Sequence, residues 1–535
     1  MGGVDLLTNF VVPNSYHDSV FLMSIAAKVK KLPGIREVSC VMGTEENQRI
    51  LEIAGLLADE GRKAGPNDLL IAAIADSDEA CRAAVRAAQE GLMRRASSSA
   101  EGPLFSRSLQ GALERQPDSN LALISLPGRY AREQAEQALR RGLHVFLFSD
   151  NVPVADEIAL KKLGRELGLL VMGPDCGTAL LSGVAVGFAN RVRRGNIGIV
   201  AAAGTGLQEV SCLVHNRGGG ISHAIGTGGR DLSEAVGGMS MLQGMELLEN
   251  DPTTRVVVLI SKPPAPSIAE RILDRARAGR KRYVVGFVGA AGAPDNGNVT
   301  FASTLSEAAE RAAVLSGVPA RGQAEPSGHA LPYEASAELT PPPAALETSG
   351  CDVDPAVLAS RVAPGRRYLR GLYSGGTLCY EAEHLLRSRL QGVRSNISHD
   401  PKRLMADPRR SGGHVVIDLG DDEFTVGRPH PMIDFTLRTE RLLQESADPE
   451  CAVILLDVVL GYGAHPDPAG ALAPALVEAR RLGVAVVASL CGTDLDPQGY
   501  AAQKAALESF GVTVCCANAD AVRLAAGVAV VAARG

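Results

Sequence analysis

The stretch Asp418–Asp434, "DLGDDEFTVGRPHPMID", crowds Asp418, Asp421, Asp422 and Glu423 ahead of His430, which stands between two prolines. Close carboxylates raise one another's pKa values and so suit acid–base work. Oxygen-rich clusters also hold a divalent cation such as Mg. The alternative is an acidic surface loop with a capping Asp. His430, Asp421 and Asp422 are the candidate catalytic residues, and the identity of any metal is left open. Two other stretches, "AAAGTGLQE" (Ala201–Glu209) and "YSGGTLCYE" (Tyr373–Glu381), each place a Gly-Thr loop between an apolar run and a helical pattern. Backbone N–H groups and the positive end of a helix then aim at one point, which suits a phosphate or carboxylate. Gly204, Thr205, Gly206, Gly375, Gly376 and Thr377 are the candidate anion-binding residues. Arg230 in "IGTGGRD" is a candidate anion clamp, with pairing to Asp231 or a neighbouring acid as the alternative.

Two turns carry thiols. "VMGPDCGTALL" (Val171–Leu181) ends an apolar run in Asp175, Cys176 and Gly177, and "ASLCGTDLDPQGY" (Ala488–Tyr500) repeats the theme with Cys491. A thiolate at a helix N-terminus is reactive when its pKa is lowered. No His lies near either Cys in sequence, and a non-nucleophilic role is the reading adopted for both.

The elements that must position these groups follow from hydrophobic period. Residues 1–95 switch between periods 2 and 3.6 and read as a small N-terminal α/β domain. Residues 96–118, with "ASSSAEGP", read as a mobile linker. From 119 to 190 "LALISLP", "HVFLFSD" and "LLVMGPD" alternate with helices, giving βαβ units and a parallel sheet. Residues 191–315 repeat the alternation with continuous apolar strands, as in sheets covered on both faces. Residues 316–364 are rich in Pro, Ala, Ser and Glu and read as a second linker. The last domain, 365–535, opens like 191–315: strand, Gly-Thr loop, then a helix carrying Glu (Glu209, Glu381). Both domains later show a helix, an Asp-Pro turn and a very apolar strand, so one domain is expected to be duplicated. In such parallel α/β sheets ligands bind at the carboxyl ends of strands, where the Gly-Thr loops lie.

The 535 residues exceed one core, and roughly three or four domains are expected. There is no Trp, aromatics are 4% and the net charge is −6, which argues against a nucleic-acid partner. "MGGVDLLTNF" lacks the basic-then-apolar order of a secretory signal, and no run of about 18 apolar residues suggests a membrane span. Ten cysteines without CxxC spacing point to reduced thiols in the cytoplasm, with no structural zinc. No haem or flavin is expected.

Residues 117–315 resemble the α subunit of succinyl-CoA synthetase. "VMGPDCGTALL" is similar to that family's Gly-Pro-Asn-Cys-Pro-Gly turn beside the CoA pantetheine, and "GNIGIVAAAGTGLQEV" to its strand and helix N-terminus at the phosphate site. Residues 365–535 resemble the C-terminal domain of the β subunit. The whole chain resembles the FdrA group of acyl-CoA synthetase-like proteins, through "MGTEEN", "HAIGTGGRDLSEAVGG", "DLGDDEFTVGRPHPMID" and "LLDVVLGYGA". The resemblance implies a Rossmann-like CoA-binding-type domain followed by two flavodoxin-type domains whose helix N-termini face one site. It makes Ser125, Asp175, Cys176 and Gly177 substrate- or CoA-facing and CoA a candidate cofactor. FdrA relatives act with two partner subunits in oxamate carbamoyltransferase of purine (allantoin) breakdown. That implies a small acyl or carbamoyl substrate, phosphate, and a hetero-oligomer with other catabolic-enzyme subunits, with a homodimer as a further option.

The chain departs from succinyl-CoA synthetase where the latter carries a phosphohistidine. "YVVGFVGA" runs into "AGAPDNGNVTFAS", without the Gly-His-Ala-Gly loop, and Lys262 and prolines stand in "ISKPP" where an acid is expected. No stretch resembles an ATP-grasp domain. The leading expectation is a carbamoyl- or acyl-transferring subunit. The alternatives are an acyl-CoA synthetase with another phosphoryl carrier and a non-catalytic metabolite-binding scaffold.

Overall fold

The computed structural model describes residues 6–15, 17, 19–97, 106, 108–289, 294–318, 353–425 and 429–534. The chain divides into two compact units, Met1–Pro117 with Asp422–Pro429, and Asp118–Asp421 with His430–Gly535.

In the first unit the apolar strand Leu69–Ala75 lies between Leu6–Val12 and Ile35–Met42, antiparallel to both. Its alternation serves two cores. Leu69, Ile71 and Ala73 pack with Leu22, Ile25 and Val29 of the helix Ser19–Val29 and with Ala84 and Ala88 of the helix Asp78–Ser97. Leu70 and Ala72 pack with Leu51 and Leu56. The expected small α/β domain is therefore present, with an antiparallel sheet. Part of the 96–118 stretch is helical: Leu109–Arg115 starts at Ser108, whose hydroxyl accepts the Gly111 N–H. Residues 98–105 and 107, and most of the Pro/Ala-rich stretch (319–352), lie outside the described residues.

The second unit holds three sheets. Leu121–Ile124, His144–Leu147 and Val171–Met172 form a parallel three-stranded sheet. Next come five parallel strands in the spatial order Val299–Phe301, Arg282–Phe287, Val256–Ser261, Arg194–Ala202, Ile221–Gly226, extended by the hairpin Thr178–Leu181 and Val184–Gly187. The hairpin thus continues the "VMGPDCGTALL" stretch into the neighbouring sheet. The last sheet is fully parallel: Arg394–Ser395, Val415–Asp418, Tyr368–Tyr373, Cys451–Val459, Ala485–Cys491, Thr513–Cys515.

Counted along the chain, the parallel strands of both larger sheets follow the flavodoxin-like order 2-1-3-4-5, the final sheet having one extra short edge strand. Their central strands are buried on both faces, as the unbroken apolar runs predict. The duplicated domain expected from the sequence is thus present as two like-wound sheets. One apolar core joins them, running from Ile197, Leu207 and Val210 to Tyr373, Leu378 and Val522. Among the described residues no helix is long and apolar enough to cross a membrane.

Candidate functional site

Each flavodoxin-like sheet has its switch point beside its first strand, and there the two Gly-Thr loops stand. The strand Arg194–Ala202 passes through extended Ala203 into the helix Gly204–Asn216; Tyr368–Tyr373 passes through Ser374 and extended Gly375 into the helix Gly376–Arg387. Neither helix has a side-chain N-cap. Their first-turn N–H groups and positive dipole ends are left for another acceptor. The two loops meet. A Cβ on Gly206 would fall 2.9 Å from Thr377 Cγ2, and one on Gly375 would fall 2.5 Å from Thr205 Cγ2 and 2.7 Å from its Oγ1. Glycine is needed at both places because the opposing threonine fills the space of a side chain.

Buried polar residues hold this junction. Asp457, fully buried in the strand Cys451–Val459, accepts from the Ser374 N–H (2.8 Å), the Ser374 hydroxyl (3.0 Å) and Arg438 Nη2 (2.9 Å). Burial raises the Asp457 carboxyl and Arg438 opposes the rise. Asp418 ends the strand Val415–Asp418, on the opposite side of Tyr368–Tyr373. It is 6% exposed, and its Oδ1 accepts the Gly420 N–H at 2.9 Å. A Cβ on Gly376 would lie 2.7 Å from Asp418 Oδ2 and 3.4 Å from Lys262 Nζ. Burial pushes the Asp418 carboxyl up to about 7, with Lys262 pulling it down.

His430 belongs to the same neighbourhood. A Cβ on Gly420 would lie 2.8 Å from the Ser374 carbonyl, 2.9 Å from His430 Nε2 and 3.1 Å from Asp418 Oδ1. His430 Nδ1 accepts the Met432 N–H at 3.2 Å, so the neutral ring carries its proton on Nε2. Burial, aided by Arg438, pushes the imidazole down to about 4. At neutral pH the ring is neutral, and its Nε2–H is the group it offers as a hydrogen-bond donor.

Asp421 follows Asp418 and Gly420, and Asp422 opens the short helix Asp422–Thr425, where Asp422 and Glu423 are exposed and Phe424 is buried. Arg230 is engaged: Nη2 donates to the Val152 carbonyl at 2.8 Å and lies 3.1 Å from Glu157 Oε2. The neighbouring-acid alternative for Arg230 is the one observed. Asp231 accepts from the Ser240 and Met241 N–H groups and from Lys161, and so caps the helix Met239–Asn250. Ser125 is exposed just past the strand Leu121–Ile124.

In the "VMGPDCGTALL" turn, Asp175 is exposed at φ +53° and its N–H donates to Ser149 O, while the Cys176 N–H donates to Leu147 O. Those bonds turn Cys176 into the core, 3% exposed, with Sγ donating to the Thr178 carbonyl at 3.7 Å. Burial pushes its thiol up to about 12. The ligand-facing Cys176 expected from the resemblance is corrected to a packing residue. Gly177 accepts the Phe188 N–H across the hairpin, and Gly204 has Thr178 Oγ1 3.5 Å from its missing Cβ. Cys491 is also buried, its Sγ 3.8 Å from Cys212 Sγ, and its pKa is raised well above the ordinary thiol value. The "CGTDLD" turn joins the two domains: Asp496 accepts from Asn190 and the Arg191 N–H, each at 2.8 Å.

Lys262, Thr178, Asp457 and Arg438 escaped the sequence reading as site residues. Lys262 had a usable signal, a lone cation just past the apolar strand Val256–Ser261 at the switch point. Among the described residues no three His, Cys, Asp or Glu side chains converge to hold a metal ion.

Comparison with known proteins matches these regions. A CoA-ligase model covers residues 372–528, a CoA binding domain model residues 192–289, and a model described as AllF, heavy metal-associated domain residues 6–105. The CoA binding domain thus falls on the first flavodoxin-like sheet, beyond the 119–190 segment. YahF of Escherichia coli (strain K12) is 42% identical over 522 residues, 96% of this chain and 97% of that protein. The ADP-forming succinate–CoA ligase subunit alpha 2 of Archaeoglobus fulgidus is 25% identical over 197 residues, 36% of this chain and 67% of that one. Among solved structures, ATP citrate lyase from Methanothrix soehngenii, in complex with citrate and coenzyme A, matches 43% of this chain and 44% of its own at 16% identity and a TM-score of 0.35. The chain, whose AllF-type N-terminal match precedes its CoA-binding and CoA-ligase matches, belongs to the same family as YahF.

Proposed function

We propose that this chain is the FdrA-type subunit of a multi-subunit enzyme that moves an acyl or carbamoyl group to or from phosphate, as in oxamate carbamoyl transfer during purine (allantoin) breakdown. One observation carries the reading: two uncapped helix N-termini meet through glycine and threonine at the switch points of two like-wound sheets. Preorganised N–H groups and dipole ends stabilise charge as it develops on a carbonyl oxygen, and they hold a phosphate beside it. The buried Ser374–Asp457–Arg438 set keeps the second loop in place before substrate arrives. The matched CoA-binding and CoA-ligase domains support CoA as a further ligand of this fold. The chain's own residues would then hold its acyl end at the same junction.

The test is turnover. The chain, alone and together with its partner subunits, is assayed for carbamoyl phosphate formation from oxalurate and phosphate, with CoA binding followed by calorimetry. Carbamoyl phosphate formed by the complex is the expected result. Acyl-CoA synthesis coupled to nucleotide hydrolysis would replace the reading by an acyl-CoA synthetase with another phosphoryl carrier. No turnover in any combination, with partner binding intact, would leave a metabolite-binding scaffold.

A further inference from the structure

The two loops leave four polar groups without a hydrogen-bond or ion-pair partner among the described residues: the Lys262 ammonium and the hydroxyls of Thr178, Thr205 and Thr377. Thr178 is 2% exposed and Thr377 4%. Both side chains are buried, yet their unpaired hydroxyls stand beside uncapped helix ends, a place that suits an acceptor. Thr178 Oγ1 is aimed at Gly204, and Thr205 Oγ1 at Gly375. Lys262 comes from the loop after the strand Val256–Ser261 and points at Gly376, where the absent side chain leaves a cradle shared with Asp418 Oδ2. Each of these groups can donate, and beside them stands the Asp418 carboxyl, which burial keeps partly protonated near neutral pH.

We propose that Lys262 and Asp418 are the working pair of this site, Lys262 neutralising a phosphate seated among the threonines and Asp418 carrying the proton. The proposal rests on the transfer reading above and deepens it. For transfer from an amide-type donor to phosphate, a phosphate oxygen attacks the carbamoyl carbon. The carbon–oxygen bond forms and the carbon–nitrogen bond breaks. Asp418 gives its proton to the leaving nitrogen and takes back the one the phosphate hydroxyl releases. Atoms and charge balance without a redox partner. The titratable and charged groups around Asp418 are Lys262 from the first domain, Cys379 on the facing helix, Asp421 beyond the turn, Asp457 on the strand beyond Tyr368–Tyr373 and His430 beside Gly420.

The experiment is calorimetric binding of inorganic phosphate to the full chain, with sulfate as a probe whose own charge is constant across the range. Lys262→Met should weaken both anions by about tenfold or more, and Lys262→Arg should largely restore them. Gly376→Ala, which keeps both charges but fills the cradle, should weaken them as much. Sulfate affinity of the wild type should fall as pH rises through about 7, because ionised Asp418 repels the anion; in Asp418→Asn the fall should vanish. Circular dichroism and melting temperature check that each variant is folded. Wild-type affinity in Lys262→Met, no binding by the wild type, or an unchanged pH profile in Asp418→Asn would overturn the proposal. Lys262-dependent binding in a complex that transfers no carbamoyl group would instead overturn the transfer reading and leave the anion site standing.

Discussion

At the scale of single residues, burial sorts the candidate nucleophiles and proton carriers. Cys176 and Cys491 sit in the core with thiols pushed up by burial, so neither supplies a thiolate at neutral pH. Cys176→Ala should keep most of the activity, and a thiol reagent should label Cys176 only after unfolding, as mass spectrometry would register. His430 differs, because its Nε2 proton faces the space between the Ser374 carbonyl and Asp418 Oδ1. His430→Ala removes that donor and should lower turnover about 100-fold with the melting temperature nearly unchanged. A variant with wild-type rates would take His430 out of the site. This residue was legible because a His between prolines in an acidic run is rare. Its role as donor was not, since the tautomer depends on the Met432 N–H.

At the scale of elements, the duplicated helices exchange caps. Glu209, on the first Gly-Thr helix, accepts the Asn518 N–H at 2.8 Å and caps the helix Asn518–Ala532 of the second domain. Glu381, its counterpart, accepts the Leu305 N–H at 2.7 Å at the start of the helix Leu305–Ser316 of the first. Asn518 Nδ2 also donates to Glu381 Oε2 at 2.8 Å. Burial pushes Glu209 up to about 8 against the cap that lowers it, and raises Glu381 as well. A carboxyl raised in the folded state binds more protons there than in the unfolded chain. Its stabilisation is complete below the unfolded value near 4.5 and is lost as pH rises to about 8. Thermal unfolding followed across that window should show wild-type stability falling with pH and Glu209→Gln falling less; equal slopes would mean Glu209 does not titrate there. Glu209→Ala should cost about 1 kcal/mol below pH 4.5 through the lost cap, and less as pH rises toward 8. The Gly-Thr helices and their Glu were readable from local pattern. The crossing was not, because the 2-1-3-4-5 strand order and the partner of a buried carboxyl are set by tertiary packing. Lys262 shows the same limit: its meaning depends on Asp418, far along the chain.

At the scale of the molecule, the two flavodoxin-like domains behave as one body. A single apolar core passes from Leu207, Val210 and Leu213 to Leu378, Ala525 and Val528. Around it run polar ties from the stretch after the hairpin and the first Gly-Thr helix to the "CGTDLD" turn. His215 Nε2 lies 2.6 Å from Asp494 Oδ1, Asn216 donates to Gly492 O at 3.1 Å, and the Thr493 hydroxyl donates to Arg191 O at 2.6 Å. Separating the domains would expose that core and orphan buried partners such as Asn190, Glu209 and Glu381, a combination that is strongly destabilising. A shared core and polar ties of this kind should hold the two domains together even when the backbone between them is broken. Residues 118–318 and 353–535 expressed as separate polypeptides should each be poorly soluble, and co-expressed they should copurify as a 1:1 pair. The pair should melt in one transition and bind phosphate as the intact chain does. If either half folds alone with the melting temperature of the whole, the shared core and crossed caps contribute little. The paired helix ends would then be a contact that forms late, and the site would have to be assembled by the partner subunits instead of by this chain.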